Sequence, residues 1–232
     1  MKKFTEYKNP SLSVDIVLFG YDGLELSVLL LNRKEAPYIN QWTLPGGFVH
    51  IDETFLETTE RILTSKAGIS KAYLEQLYSF DDPERDPRGR VVSVAYFGLV
   101  NPRKYKIVAG HAANGVEWFN INALPKLGFD HGHIFKTALK RLQAKATYEP
   151  VGFELLNKSF TLSELQHLYE SVLQTEINKR NFRKHVLESG LIKETGKKVE
   201  GAKNRPPSLY EFDQKKYHQL KKEHYQFKIQ IK

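Results

Sequence analysis

Along the first half of the chain the apolar positions recur at the spacing of strands. Ser13 to Phe19 and Leu26 to Leu31 are two such runs on either side of Tyr21-Asp22-Gly23, which predicts a hairpin. Leu77 to Phe80 and Val91 to Val100 are further runs rich in β-branched and aromatic residues. They flank Asp81 to Arg90, a loop dense in turn formers and charge. Glu117-Trp118-Phe119 closes the strand pattern. The period changes twice within this half. From about Thr54 to Ala67, the residues Phe55, Leu56, Thr59, Ile62 and Leu63 follow helical spacing, and Gly68 is placed as a C-terminal cap. From Gly132 to Ala146, Ile134, Phe135, Ala138, Leu139 and Leu142 do the same. A domain of mixed strands and helices is expected to end near residue 147.

The remainder has another rhythm. Thr161-Leu162-Ser163-Glu164 fits a capping box, with Phe160 and Leu165 where a hydrophobic staple would sit. Leu162, Leu165, Leu168, Tyr169 and Val172 then form an apolar stripe. After a short break a second helix is expected from about Lys179 to Ser189, stopped by Gly190. Leu191-Ile192-Lys193 and Leu209 to Phe212 read as two strands around a loop rich in Gly, Lys and Pro. Helix, turn, basic helix, hairpin is the order of a winged helix-turn-helix. The expected fold class is α+β: a mixed β-sheet and α-helix sandwich domain over residues 1–147, then a winged helix-turn-helix domain over 148–232.

Composition narrows the function. At 232 residues, 41% hydrophobic and 27% charged, the chain can bury a core. It has no Cys, which excludes disulfides, thiolate zinc sites and cysteine nucleophiles and makes a cytoplasmic location the simplest expectation. The lysines at the start have no apolar run behind them, so no signal peptide is expected. The longest mostly apolar stretch, Val91 to Val100, is too short to span a bilayer. The net charge of +8 is informative only once located. Residues 1 to 177 carry 20 Lys and Arg against 21 acids, and residues 178 to 232 carry 15 against 6. The last quarter therefore sums to +9, either a solubilising tail or a surface for a polyanion.

The chemistry centres on one spaced motif. Gly47, five residues, Glu53, seven residues, Arg61, and then Gly68-Ile69 reproduce the frame of the Nudix box, and Pro45-Gly46 precede it. Here the chain resembles the Nudix superfamily. In that family the box forms a loop, helix and loop whose glutamates hold Mg²⁺ against a diphosphate, since a hard cation needs oxygen ligands. This sequence departs from the pattern at those glutamates: the stretch reads Arg61-Ile62-Leu63-Thr64-Ser65-Lys66. Positions 62, 65 and 66 share a helical face, so a patch expected to be strongly negative carries one positive charge. Glu53, Glu57 and Glu60 remain nearby. Glu53 and Arg61 match positions that brace the loop in the family, and Glu57 and Glu60 read as helix-surface carboxylates. The chain is expected to be no enzyme and to hold neither metal nor cofactor.

A Nudix pocket without its catalyst suggests a sensor. The resemblance implies a pocket lined by Asp15, Gln41, Trp42, Phe48, His50, Phe80 and Arg85. Trp42 and Phe80 also read as core aromatics, and Arg85, Asp86, Arg88 and Arg90 as an ion-pair loop. His111, His131 and His133 form no convincing metal set and read as surface or capping residues. In the second domain the helix Asn178 to Leu187 puts Phe182 and Val186 on one side and Arg180, Asn181 and Lys184 on the other, with Lys179 and Arg183 at the boundary. Such a helix fits the major groove. Lys197, Lys198, Lys203 and Arg205 are spaced as a wing.

Both halves together resemble the Nudix-related transcriptional regulators, in which a degenerate Nudix domain is fused to a C-terminal winged helix. The resemblance rests on the approach from Trp42 to Gly47, the degenerate box, the loop from Asp81 to Arg90 leading into Val91 to Tyr96, Phe129-Asp130-His131, and the helix Lys179 to Arg183. Characterised branches of the group respond to ADP-ribose and control NAD metabolism, or respond to a pentose. The stripped box and compact length look most like the arabinose branch. The resemblance thus implies a homodimeric repressor of sugar utilisation that binds operator DNA and arabinose. The alternatives are an ADP-ribose-responsive regulator, a Nudix hydrolase with a nucleic-acid-binding domain, and a structural nucleic-acid module.

Overall fold

The computed structural model describes residues 9–110, 113–201 and 205–222. Lys203 of the expected wing and His111 lie outside them. The chain divides into two compact units. The first runs to Phe19 and takes in Ser27–Leu99 and Lys104–Ala138; the second takes in Gly20–Leu26, Val100–Arg103 and the chain from Leu139.

The first unit is built on a mixed sheet. Its strands are β1 (Ser11–Tyr21), β2 (Leu26–Arg33), β3 (Trp42–Thr43) and β4 (Gly46–Phe48), then, after the helix α1 (Phe55–Ala67), β5 (Tyr73–Phe80), β6 (Val91–Val100) and β7 (Ala113–Asn120). The order is β3-β2-β1-β6-β5, with β4 pairing β1 and β7 pairing β2. β1 lies centrally, which explains why it is buried from Ser13 to Tyr21 instead of alternating. The predicted hairpin is β1 and β2. The two-residue β3 and three-residue β4 are too short to leave a periodic signature, and the sequence reading lacks them.

α1 begins as a full capping box. The Thr54 side chain accepts from the Glu57 amide, and the Glu57 carboxylate accepts from the Thr54 amide at 2.8 Å. Gly68 ends the helix at φ 72°, a left-handed conformation that a Cβ would strain. Ile62, Leu63, Thr58 and Thr59 face the core. Leu56, expected in the apolar stripe, is 47% exposed instead, and Thr58 takes the buried place. The next helix, α2 (His131–Tyr148), extends past the expected Gly132 to Ala146 at both ends, and the division between the units falls within it.

The second unit carries the winged helix. The strand β8 (Ser159–Phe160), the helices α3 (Leu162–Leu173) and α4 (Lys179–Glu188), the strands β9 (Ile192–Lys198) and β10 (Ser208–Phe212), and the helix α5 (Gln214–Lys222) follow in order. α3 starts with the expected capping box on Thr161 and Glu164. β10 is the middle of a three-stranded sheet, pairing β9 on one side and β8 on the other. Phe153 stacks on Phe212 at 3.9 Å and tilts against Phe160, while Tyr169 of α3 meets Phe182 of α4 at 5.8 Å. These aromatics hold the helix pair and the sheet as one packed module. No helix among the described residues is long and apolar enough to cross a membrane.

Candidate functional site

β1 and β4 define the floor of the site. Asp15 pairs with Gly46 across the two strands, and a Cβ on Gly46 would stand 2.3 Å from Asp15 Oδ1 and 2.8 Å from the Val14 carbonyl. Glycine at 46 is therefore what leaves room for the Asp15 carboxylate. That carboxylate is buried and accepts three hydrogen-bonding partners: Arg85 Nη2 at 2.9 Å, Ser93 Oγ at 2.7 Å and His131 Nε2 at 3.3 Å. Burial by itself would raise the Asp15 pKa. His131 most, and Arg85 and Ser93 with it, hold it instead far below the usual carboxylate range. Arg85 also grips Asp130 with Nε and Nη2, both at 2.9 Å.

His131 was expected at the surface or in a cap. It is 5% exposed, and its Nδ1 accepts the Leu44 amide at 2.9 Å, which makes Nε2 the nitrogen that donates to Asp15. The first residue of α2 thus returns to β1 across most of the domain. Sequence spacing carries no sign of this.

The Nudix frame is folded as its glycines and Glu53 require. Arg61 grips Glu53 with Nε at 2.5 Å and Nη2 at 2.7 Å, and Nη2 also donates to the Phe48 carbonyl. With Arg61 as the main cause, the Glu53 pKa falls to about 2. Thr58 donates to the same carboxylate at 2.8 Å. Glu57, read from sequence as a plain surface carboxylate, is engaged in the α1 cap. The three positions where the family has glutamates diverge. Ile62 is fully buried, Ser65 is exposed, and Lys66 reaches into the site, donating from Nζ to the Gly46 carbonyl at 2.6 Å. Among the described residues no group of three or more His, Cys, Asp or Glu side chains is placed to hold a metal ion. A divalent cation, which the fold family would lead one to expect here, does not fit this donor set.

A cavity of about 370 Å³ opens over these groups, lined by Asp15, Phe48, His50, Arg61, Lys66 and Arg85 among others. Arg33, Arg88, Phe129 and His131, absent from the sequence-based pocket, line it too. Arg88 is paired with Asp86 at 2.6 Å and lies over the Phe48 ring at 5.2 Å; Arg33 lies over Phe129 at 5.0 Å. A second cavity of about 760 Å³ shares Arg85 and Phe129 with the first and adds Tyr38, Phe80, Asp81, Asp82 and His133. Phe80 meets His133 edge-on there at 5.6 Å.

Five of the seven residues expected in the pocket thus line one cavity or the other. Gln41 and Trp42 line neither. Gln41 is exposed, with its backbone committed to Arg33 and Tyr38, and Trp42 packs edge-on against Phe119 at 4.7 Å as a half-buried aromatic of the sheet. Phe129 sits at φ 56° and Tyr38 at φ 65°, with their rings 4.6 Å apart. Both stretches lack the regular spacing by which a sequence would reveal them.

In the second unit, Asn178 caps α4 and receives the Asn181 amide at 3.0 Å. Phe182 and Val186 are buried, and Lys179, Arg180, Asn181 and Lys184 are exposed, as the spacing predicts. Arg183 is half-buried and reaches Ser163 of α3 at 3.4 Å, so it braces the helix pair and stands apart from the exposed face. Lys197 and Lys198 are exposed on β9, and Arg205 is exposed on the far side of the wing loop.

Fold and site together define a class: a Nudix-type pocket domain without its metal carboxylates, followed by a winged helix that presents a basic helix. Residues 9–138 match the NUDIX domain family and residues 152–212 the NrtR DNA-binding winged helix domain. The chain is 37% identical to the ADPR responsive transcriptional repressor NtrR of Acinetobacter baylyi over 213 residues, 90% of this chain and 84% of that protein. It is similar to Shewanella oneidensis NrtR crystallised with a 27mer DNA, at a TM-score of 0.79 and 33% identity, covering 94% of this chain and 99% of that one. It is also similar to the NUDIX domain of Shewanella oneidensis NrtR in complex with ADP ribose, at a TM-score of 0.54 and 33% identity over 61% of this chain and 94% of that domain. The chain belongs to the NrtR-type family of Nudix-related regulators. This overturns the expectation of an arabinose effector, since a relative that matches 90% of the chain is described as an ADPR responsive repressor. The stripped box reports the absence of metal ligands and carries no information on which ligand the pocket takes.

Proposed function

We propose that this chain is an ADP-ribose-responsive transcriptional repressor, in which the Nudix domain binds the effector without hydrolysing it and the winged helix binds operator DNA. One observation carries the reading: a Nudix pocket with Lys66 in place of a metal-binding glutamate and a basic recognition helix occur in the same chain. The likeness to a repressor described as ADPR responsive, and to a Nudix domain crystallised with ADP ribose, supports the choice of effector. The pocket's chemistry suits it. Arg33 and Lys66 offer cations to a diphosphate, and the exposed part of the Phe48 ring offers apolar surface to a base.

The protein acts in the cytoplasm as a homodimer, so that two copies of α4 read two half-sites, and its targets are genes of NAD metabolism. The effector works by binding more tightly to one dimer geometry than to the other; equal affinity for both would shift nothing. A gel-shift assay with an operator from such genes tests this. The chain binds at moderate salt, ADP-ribose changes the bound fraction, and reversing the charge of Arg180 and Lys184 together abolishes binding. Binding indifferent to ADP-ribose, or Mg²⁺-dependent breakdown of ADP-ribose by the chain, would sink the proposal.

A further inference from the structure

Arg33 and Lys66 are the cations of the smaller cavity that have no ion-pair partner among the described residues. Arg61 is held by Glu53, Arg85 by Asp15 and Asp130, and Arg88 by Asp86. Arg33 is committed to backbone carbonyls, donating from Nε to Pro37 at 2.8 Å, and lies over Phe129. An ammonium has three donors, and the Gly46 carbonyl takes one from Lys66. Gly47 keeps the approach open: a Cβ there would stand 3.7 Å from Lys66 Nζ and 3.2 Å from Ile62 Cδ1. Lys66 stands where the family places a glutamate that reaches the diphosphate through a metal. Of the carboxylates left on α1 and its entry loop, Glu53 is spent on Arg61 and Thr58 and Glu57 on Thr54, while Asp52 and Glu60 are exposed and line neither cavity.

We propose that Lys66 takes the place of the divalent cation itself, contacting the effector's diphosphate directly through its two remaining donors, so that the effector is held with no metal ion. The inference rests on the ADP-ribose reading and says how that ligand is gripped. A carboxylate, metal and phosphate sandwich is replaced by an ammonium and phosphate pair, which preserves the attraction and removes the Lewis acid. A bound Mg²⁺ would polarise the phosphoryl oxygens and activate a water, whereas an ammonium binds the anion and leaves the diphosphate bond intact. A sensor needs that outcome, because its effector must survive binding. Burial first, then the neighbouring Arg33, lowers the Lys66 pKa, and an arriving diphosphate opposes both effects.

Titration calorimetry of the full chain with ADP-ribose, in EDTA and in MgCl₂, tests this. The wild-type dissociation constants agree in the two buffers. Lys66→Met keeps the length and removes the charge, and it weakens binding in both buffers by about 10- to 100-fold, the scale of one charge-assisted hydrogen bond. Lys66→Arg keeps the charge and retains more affinity than Lys66→Met. A cooperative thermal melt for each variant certifies its fold. Wild-type binding that needs Mg²⁺, undiminished affinity in Lys66→Met, or equal losses in Met and Arg would each overturn the lysine's role while leaving ADP-ribose as the effector. If the wild type binds no ADP-ribose in either buffer, the effector reading itself fails, and this inference with it.

Discussion

Arg85 ties the pocket together at the level of single side chains. It is 7% exposed and bonds Asp15, 70 positions earlier, and Asp130, 45 positions later. Removing one partner from a buried ion pair leaves the other charge uncompensated and costs about 3–5 kcal/mol. Arg85→Met is therefore expected to lose stability on that scale in urea unfolding at pH 7. The pH dependence follows from Asp15. Its folded pKa is depressed, so the stability it contributes is present above its unfolded pKa of about 3.9 and is lost as pH falls toward the folded value. Without Arg85 the folded pKa rises, and acid unfolding followed by circular dichroism moves to higher pH; an unmoved transition would remove Arg85 from this account. Asp15 and Arg85 were legible in the sequence through the family frame. Asp130 and His131 were quoted only as part of the resemblance, because no local pattern reveals a contact made across so much chain.

Elements were legible in proportion to their length and to the chemistry at their ends. β1, β2, β6, α1, α3 and α4 are long enough for period and caps to agree, and the structure places each within a few residues of the expected bounds. The short β3, β4 and β8 carry no period of their own, and each is defined by its pairing with a longer strand, β2, β1 and β10 respectively. α5 went unnoticed because its residues, from Gln214 to Lys222, are almost all polar, with little apolar stripe to betray it. The cap of α3 gives an element-scale test. Thr161 is buried, and its hydroxyl accepts the Glu164 amide at 3.1 Å while Glu164 accepts the Thr161 amide at 2.7 Å. Thr161→Ala should cost about 1 kcal/mol, within a usual range of about 0.5–2 kcal/mol, in chemical denaturation. A neutral result would mean that packing of Leu162 and Leu165, and not the cap, fixes where α3 starts.

At the scale of the whole chain, charge separates the two tasks. The first 177 residues are close to neutral and the last 55 sum to +9, so electrostatic affinity for DNA belongs to the winged-helix end. Each phosphate neutralised steepens the salt dependence of DNA affinity by a slope of about 0.9. Lys184→Gln is accordingly expected to flatten a plot of log affinity against log salt by about 1, while Lys34→Gln, exposed in the neutral part, leaves the slope unchanged. Fluorescence anisotropy over a salt series reads both, and equal slopes for all three proteins would detach α4 from the backbone. Ile62 adds a consequence on an evolutionary timescale. A surface glutamate, once lost, can be regained by simple mutation at little cost. Here the lost position has been absorbed into the core, fully buried against Gly47. Restoring a carboxylate at 62 would bury a charge before any cation had arrived to neutralise it, and that step would leave the chain less stable than its parent. Packing at this one residue works as a ratchet: under the proposed effector-binding role, metal chemistry is far harder to recover at this pocket than to lose.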